Sequence, residues 1–109
     1  MFILLKKILK TSDNSDTIYV PNLNETYHSI YGAITESNHV FIKNGLLRKL
    51  EVNDISILEI GYGTGLNILL SYHETRGANK NINYTAIEPF PLKLEVLEKL
   101  NYLNFLKRK

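Results

Sequence analysis

Ile55-Ser-Ile-Leu-Glu-Ile-Gly-Tyr-Gly-Thr-Gly-Leu-Asn67 puts an apolar run, a carboxylate and three alternate glycines in one line, and its reading decides the fold. Ile55, Ile57, Leu58 and Ile60 are β-favouring and apolar at both alternating positions, the pattern of a strand buried on both faces of a parallel α/β sheet. Gly61, Gly63 and Gly65 then make a turn. A side chain there would hold the backbone away from a ligand, and glycine takes positive φ without strain. Leu66, Leu69, Leu70 and His73 follow at helical spacing. The free N–H groups and positive end of that helix therefore face whatever the glycines cradle.

Two cofactor classes use a strand, a glycine turn and a helix in this order. Dinucleotide binders favour Gly-x-Gly-x-x-Gly, whereas this chain has Glu59-x-Gly61-x-Gly63-x-Gly65. That spacing resembles motif I of the Rossmann-like methyltransferases, which bind S-adenosylmethionine. The resemblance implies that Glu59 lies near the cationic amino-acid end of the cofactor, and that Thr64 and Asn67 also contact it. Tyr62, inside the turn, packs beside the cofactor on this reading and is a solvent-facing turn residue on the other.

A second carboxylate tests the idea. Ile82, Tyr84, Ala86 and Ile87 form another β-favouring run that ends at Glu88-Pro89. Glu88 follows Gly65 at close to the ~20-residue interval expected of a carboxylate that accepts hydrogen bonds from ribose hydroxyls. This interval fits either cofactor class. Taken alone, Glu88 reads as an exposed residue capping a turn; coupled to the glycine motif, it reads as a ribose ligand.

Length and composition set the outer limits. The 109 residues suffice for one small core but fall short of a complete doubly wound sheet. No cysteine is present, which excludes disulfides and thiolate metal sites and is compatible with a reducing, cytoplasmic setting. Thirteen Lys and Arg against eleven Asp and Glu leave a formal charge of +2, too small a balance to announce a nucleic-acid binder. The N-terminal apolar run is cut by Lys6 and Lys7 with no cleavage site after it, and no run is long enough to cross a bilayer. His28, His39 and His73 lack metal-ligand spacing, so no metal site is expected.

In chain order, residues 2–9 and 17–20 read as two strands of a hairpin around the polar turn 11–16, with Pro21 ending the second and residues 22–25 continuing as loop. A helix is expected over residues 33–44, stopped by Gly45 in a left-handed C′ position. Leu46, Leu47 and Leu50 link it to the glycine-motif strand. The first helix after the glycines should end near Arg76 and Gly77. Beyond Pro91 a final helix carries Leu92, Val96, Leu100 and Leu103 on one stripe, and the cationic end Lys107-Arg108-Lys109 complements its dipole.

A more specific resemblance covers nearly the whole chain. Tyr19-Val-Pro-Asn-Leu-Asn-Glu-Thr-Tyr-His-Ser29, Gly32-Ala-Ile-Thr-Glu-Ser37, His39-Val-Phe-Ile-Lys43 and Gly61-Tyr-Gly-Thr-Gly-Leu-Asn67 look like the tRNA (5-methylaminomethyl-2-thiouridine) methyltransferases. These are MnmD-like proteins and the methyltransferase part of MnmC-type enzymes. The resemblance implies methyl transfer from S-adenosylmethionine to the amine of 5-aminomethyl-2-thiouridine in tRNA. It also implies an oxidoreductase as partner or fused domain in the same pathway. Tyr27, His28 and Ser29 would face the cofactor or the target base; equally, Tyr27 and Tyr31 read as core aromatics and His28 as a surface residue. Glu36 either shapes the substrate pocket or simply occupies a first helical turn, where acidic residues are favoured.

The family carries a later Asp-Ala-Phe-x-Pro-like motif, and this chain contains none. The expectation is therefore an α/β chain in two parts. Residues 1–50 form a hairpin and helix extension, and residues 51–109 the opening β-α-β-α half of the methyltransferase domain. Such a chain, lacking half its site, is expected to be inactive alone and to self-associate or pair with the missing C-terminal half. A non-catalytic remnant or interaction module is the second reading, and a dinucleotide-binding oxidoreductase fragment the third.

Overall fold

The computed structural model describes residues 5–106. Residues 2–4 of the expected opening strand and the basic end at 107–109 lie outside them. Strands β1 (Lys7–Lys10) and β2 (Asp16–Val20) pair antiparallel, with Lys7 opposite Tyr19 and Lys10 opposite Asp16. Pro21 has no N–H to extend the ladder. The chain therefore makes a tight turn over Pro21–Leu23, passes through Asn24 at φ 49°, and returns as β3 (Glu25–Thr26) against β2. The expected hairpin is thus a three-stranded sheet, because Asn24 tolerates the left-handed conformation that reverses the chain.

The polar turn between β1 and β2 does more than connect them. Helix α1 (Ala33–Ser37) begins at Gly32, which has no side chain to cap it. Its first three N–H groups are taken by the distant turn instead: Ala33 donates to Thr11 Oγ1 at 3.0 Å, Ile34 to Ser15 Oγ at 3.0 Å and Thr35 to Asp13 Oδ2 at 2.9 Å. The Asp13 carboxylate also accepts from Thr11 Oγ1, from the backbone and hydroxyl of Ser15 and from Thr35 Oγ1. Partial burial opposes its charge, but the bonds from Ser15 and Thr35 outweigh that and hold the carboxyl far below its ordinary 3.8. Asp13→Ala should therefore destabilise the chain by about 1–2 kcal/mol, the size of a lost helix cap. A depressed folded pKa contributes stability above the unfolded value and loses it below. The gap between variant and parent in urea unfolding should then be full at pH 7 and narrow as pH falls beneath 3.8.

Beyond Ser37 the helix continues as a wider π-helical segment, Asn38–Lys43, so the expected helix is one helical stretch with a change of hydrogen-bond period. Gly45 is not left-handed as expected; its φ is −123°. Glycine is required there by contact, since a Cβ would sit 2.5 Å from the carbonyl oxygen of Phe41.

Strands β4 (Asp54–Ile60) and β5 (Asn81–Ile87) pair in parallel, joined through helix α2 (Leu66–Thr75), which ends at Arg76 before Gly77 as expected. Ile55 is buried with Ala33, Ile42, Leu46, Leu66, Leu70 and Tyr102 in one core, against which Ile57 and Ile82 pack. The expectation that β4 is buried on both faces fails. Helices cover the face bearing Ile55, Ile57 and Glu59, while Leu58 and Ile60 are 64% and 72% exposed and Ile87 of β5 is 52% exposed. Among the described residues β4 and β5 pair only with each other, and the N-terminal sheet shares no strand with them.

The final helix is shorter than its stripe suggests. Helix α3 (Leu94–Lys99) stops at Leu100, which is extended, and a 3-10 turn follows over Tyr102–Phe105. The reason is a reciprocal pair across the molecule: Asp16 N donates to Asn101 Oδ1 at 2.9 Å and Asn101 N to Asp16 Oδ2 at 3.1 Å. Pulling Asn101 onto the N-terminal sheet breaks the helical period. It drives Tyr102 into the core and leaves Leu103 exposed.

Candidate functional site

The glycine turn leaves the C-terminal end of β4, and Gly61 N extends the ladder by donating to Ile87 O at 2.7 Å. Gly63 and Gly65 stand at φ 56° and 77°. A Cβ on Gly65 would fall 2.6 Å from the Tyr62 hydroxyl, and one on Gly63 3.2 Å from the Tyr27 ring. Both glycines are therefore set by conformation and by close approach together.

Each predicted carboxylate sits at the end of its strand beside this turn. Glu88 Oε1 accepts from Gly63 N at 2.8 Å and Oε2 from Phe90 N at 3.1 Å. Glu59 Oε2 accepts from Asn67 Nδ2 at 2.8 Å and Oε1 from the Tyr84 hydroxyl at 2.9 Å. Burial, and then the adjoining Glu59 carboxylate, push the Tyr84 phenol well above its ordinary 10.0, so it stays a protonated donor. Asn67 Oδ1 is buried without a hydrogen-bond partner.

Of the residues before the first helix, two reach the turn. Tyr27 lies over Gly63, and burial followed by the Glu88 charge raises its pKa. His28 Nε2 lies 2.6 Å from Thr64 Oγ1, and its ring meets the buried Tyr102 edge-on with centroids 6.3 Å apart. Burial lowers the His28 pKa below 6.5 against a weaker opposing pull from Glu36. Ser29 and Glu36 bond to one another instead, Ser29 N donating to Glu36 Oε1 at 3.1 Å in the first turn of α1. Tyr31 is exposed rather than a core aromatic, whereas Tyr27 and His28 are half-buried.

A cavity of about 580 Å³ opens along β4, lined among others by His28, Phe41, Lys49, Glu59, Asn67 and Tyr84. Tyr84 and Tyr102 were not among the expected site residues. Tyr84 had a signal, since strand alternation from Ile82 puts it on the same face of the sheet as Glu59. Tyr102 had none, because its placement depends on the long-range Asp16–Asn101 pair. Among the described residues no group of three or more His, Asp or Glu is placed to hold a metal ion. No helix among them is long and apolar enough to cross a membrane.

No protein-family model matches the chain. Individual proteins do. The tRNA 5-methylaminomethyl-2-thiouridine biosynthesis bifunctional protein MnmC of Burkholderia multivorans is 33% identical over 88 residues, covering 76% of this chain and 13% of that protein. The MnmC protein of Idiomarina loihiensis is 37% identical over 82 residues, covering 68% of this chain and 14% of that protein. The crystal structure of MnmC2 from Aquifex aeolicus superposes with a TM-score of 0.73 at 29% identity, covering 82% of this chain and 31% of that one. The chain thus spans a small part of the proteins it matches. In sequence and in fold it is a relative of the MnmC-type tRNA 5-methylaminomethyl-2-thiouridine biosynthesis proteins, aligned with one segment of them.

Proposed function

We propose that this chain forms the opening half of a Rossmann-like methyltransferase domain that binds S-adenosylmethionine and methylates the aminomethyl group of 5-aminomethyl-2-thiouridine at the wobble position of tRNA. The observation that carries the reading is the convergence of two carboxylates on one glycine turn. Glu88 holds Gly63, and Glu59 is held by Asn67 and Tyr84.

This set of groups fits the cofactor. Glu88 keeps lone pairs beyond those given to Gly63 and Phe90, and these suit the two hydroxyls of a ribose. Glu59 and the unpartnered Asn67 Oδ1 supply negative charge and an acceptor for a cationic amino-acid end. A pyrophosphate between the same carboxylates would be repelled, which disfavours the dinucleotide reading. When bound, the cofactor supplies an electrophilic methyl on a sulfonium centre. The work of this chain is to orient that group, because amine methylation depends mainly on holding a neutral nucleophile in line. Tyr62, Thr64 and Gly61 complete the cofactor contacts, with Gly63, Gly65 and Asn67. Tyr27, His28, Ser29 and Glu36 are assigned to the substrate side.

Residues 1–50 act in this scheme as an extension that braces the turn, and residues 51–109 as the partial methyltransferase domain. Completion of the pocket is assigned to the portion of the MnmC2-like fold that this chain does not match. tRNA is the macromolecular partner, an oxidoreductase acts in the same pathway, and the setting is cytoplasmic. The second reading, an interaction module that keeps the fold without the chemistry, is favoured by the exposed Leu58 and Ile60.

Titration of the labelled chain tests the cofactor assignment. S-adenosylmethionine should shift the amide resonances of Gly61, Gly63 and Gly65 with at least ~10-fold tighter apparent affinity than NADH, about 1.4 kcal/mol. A stronger response to NADH, or none at the glycines, overturns it.

A further inference from the structure

Thr64 is the one residue with a side chain between Gly63 and Gly65, both at positive φ. Two glycines flanking a single residue leave a turn with high backbone entropy, so whatever fixes Thr64 fixes both neighbours. Thr64 is 5% exposed, and its hydroxyl meets the side chain of His28, with Nε2 at 2.6 Å. The His28 ring in turn meets the Tyr102 ring edge-on, with centroids 6.3 Å apart.

Tyr102 is tied to the N-terminal sheet. Its hydroxyl lies 2.7 Å from the carbonyl oxygen of Asp16, and a carbonyl can only accept, so the phenol proton is committed to β2. His28 is itself anchored to the N-terminal sheet, its N–H donating to Thr17 Oγ1 at 2.9 Å and its carbonyl accepting from Thr26 Oγ1 at 2.7 Å.

We propose that His28 is a positioning residue: its Nε2 bonds Thr64, and the run Thr17–His28–Thr64 fixes the glycine turn to the N-terminal sheet. The N-terminal segment thereby orders the cofactor side of the site through His28. That the fixed turn serves cofactor binding rests on the function proposed above; the ordering of the turn does not.

The test uses the whole chain labelled with ¹⁵N and three variants. Thr64→Val removes the hydroxyl while keeping the branched shape, His28→Ala removes its partner, and His28→Gln places an amide near the position of Nε2. Amide exchange at Gly63, Thr64 and Gly65 should quicken at least ~10-fold in Thr64→Val and His28→Ala, as expected for a lost hydrogen bond. It should recover in His28→Gln, with exchange at Leu70 and Ser71 of α2 unchanged throughout. Affinity for S-adenosylmethionine should follow the same order. Unchanged turn exchange in Thr64→Val, or quickened exchange that spreads equally into α2, would overturn the proposal. Turn exchange as expected, with no S-adenosylmethionine binding by the parent, would uphold the positioning role and refute the cofactor reading instead.

Discussion

Glu88→Ala should weaken S-adenosylmethionine binding about 100-fold while circular dichroism stays that of the parent. Two losses combine in that figure. The carboxylate would no longer accept from the ribose hydroxyls, each such bond to a charged group contributing ~1.5 kcal/mol or more. The Gly63 N–H, now 2.8 Å from Glu88 Oε1, would also lose the acceptor that orders it. Gly63→Val reaches the same end by another route. Valine at φ 56° is strained by about 1–3 kcal/mol, and its Cβ would press on the Tyr27 ring at 3.2 Å. Calorimetry on both variants decides the matter, and unchanged affinity in both would remove Glu88 and the turn from the cofactor site.

What the sequence made legible follows from the range of the forces involved. The β4–turn–α2–β5 unit is written locally, in a β-favouring run, three glycines and a helical stripe, and the structure reproduces it with Glu59 and Glu88 at adjacent strand ends. Family resemblance set Tyr27, His28 and Ser29 toward the cofactor or the target base; the geometry brings Tyr27 and His28 to the glycine turn and Ser29 to Glu36. The errors cluster where distant residues intervene. Nothing local marks Asp13, Ser15 and Thr11 as the cap of a helix that starts twenty residues later in the chain. Nor does a leucine stripe reveal that Asn101 will leave its helix to pair with Asp16. Gly45 was read from propensity as a left-handed stop, but what excludes a side chain there is the carbonyl of Phe41. Apolar residues at both alternating positions of β4 correctly marked a strand that can be covered twice. They did not tell that only one face is covered by the described residues.

That uncovered face leads to the second large effect. β4 and β5 each pair on one side only among the described residues, and their outer edges carry unpaired N–H and C=O groups next to Leu58, Ile60 and Ile87. Phe90, just past β5, is exposed as well. An open edge beside a naked apolar face is a template for adding strands from another chain. Burying one such side chain contributes roughly 1.5–3 kcal/mol, so several together exceed much of the entropic cost of association. The chain in isolation should therefore self-associate, and sedimentation equilibrium should find oligomers at concentrations where a monomer of its size would otherwise persist. Ile60→Lys, which sets a charge on that face and leaves the core untouched, should raise the dissociation constant at least ~10-fold, about 1.4 kcal/mol. Amide exchange through Ile55 to Ile60 should slow as concentration rises, because the edge is paired only in the oligomer. A monomer at high concentration whose β4 amides already exchange slowly would show that the chain satisfies this edge by itself, and the face would then be free for a different partner.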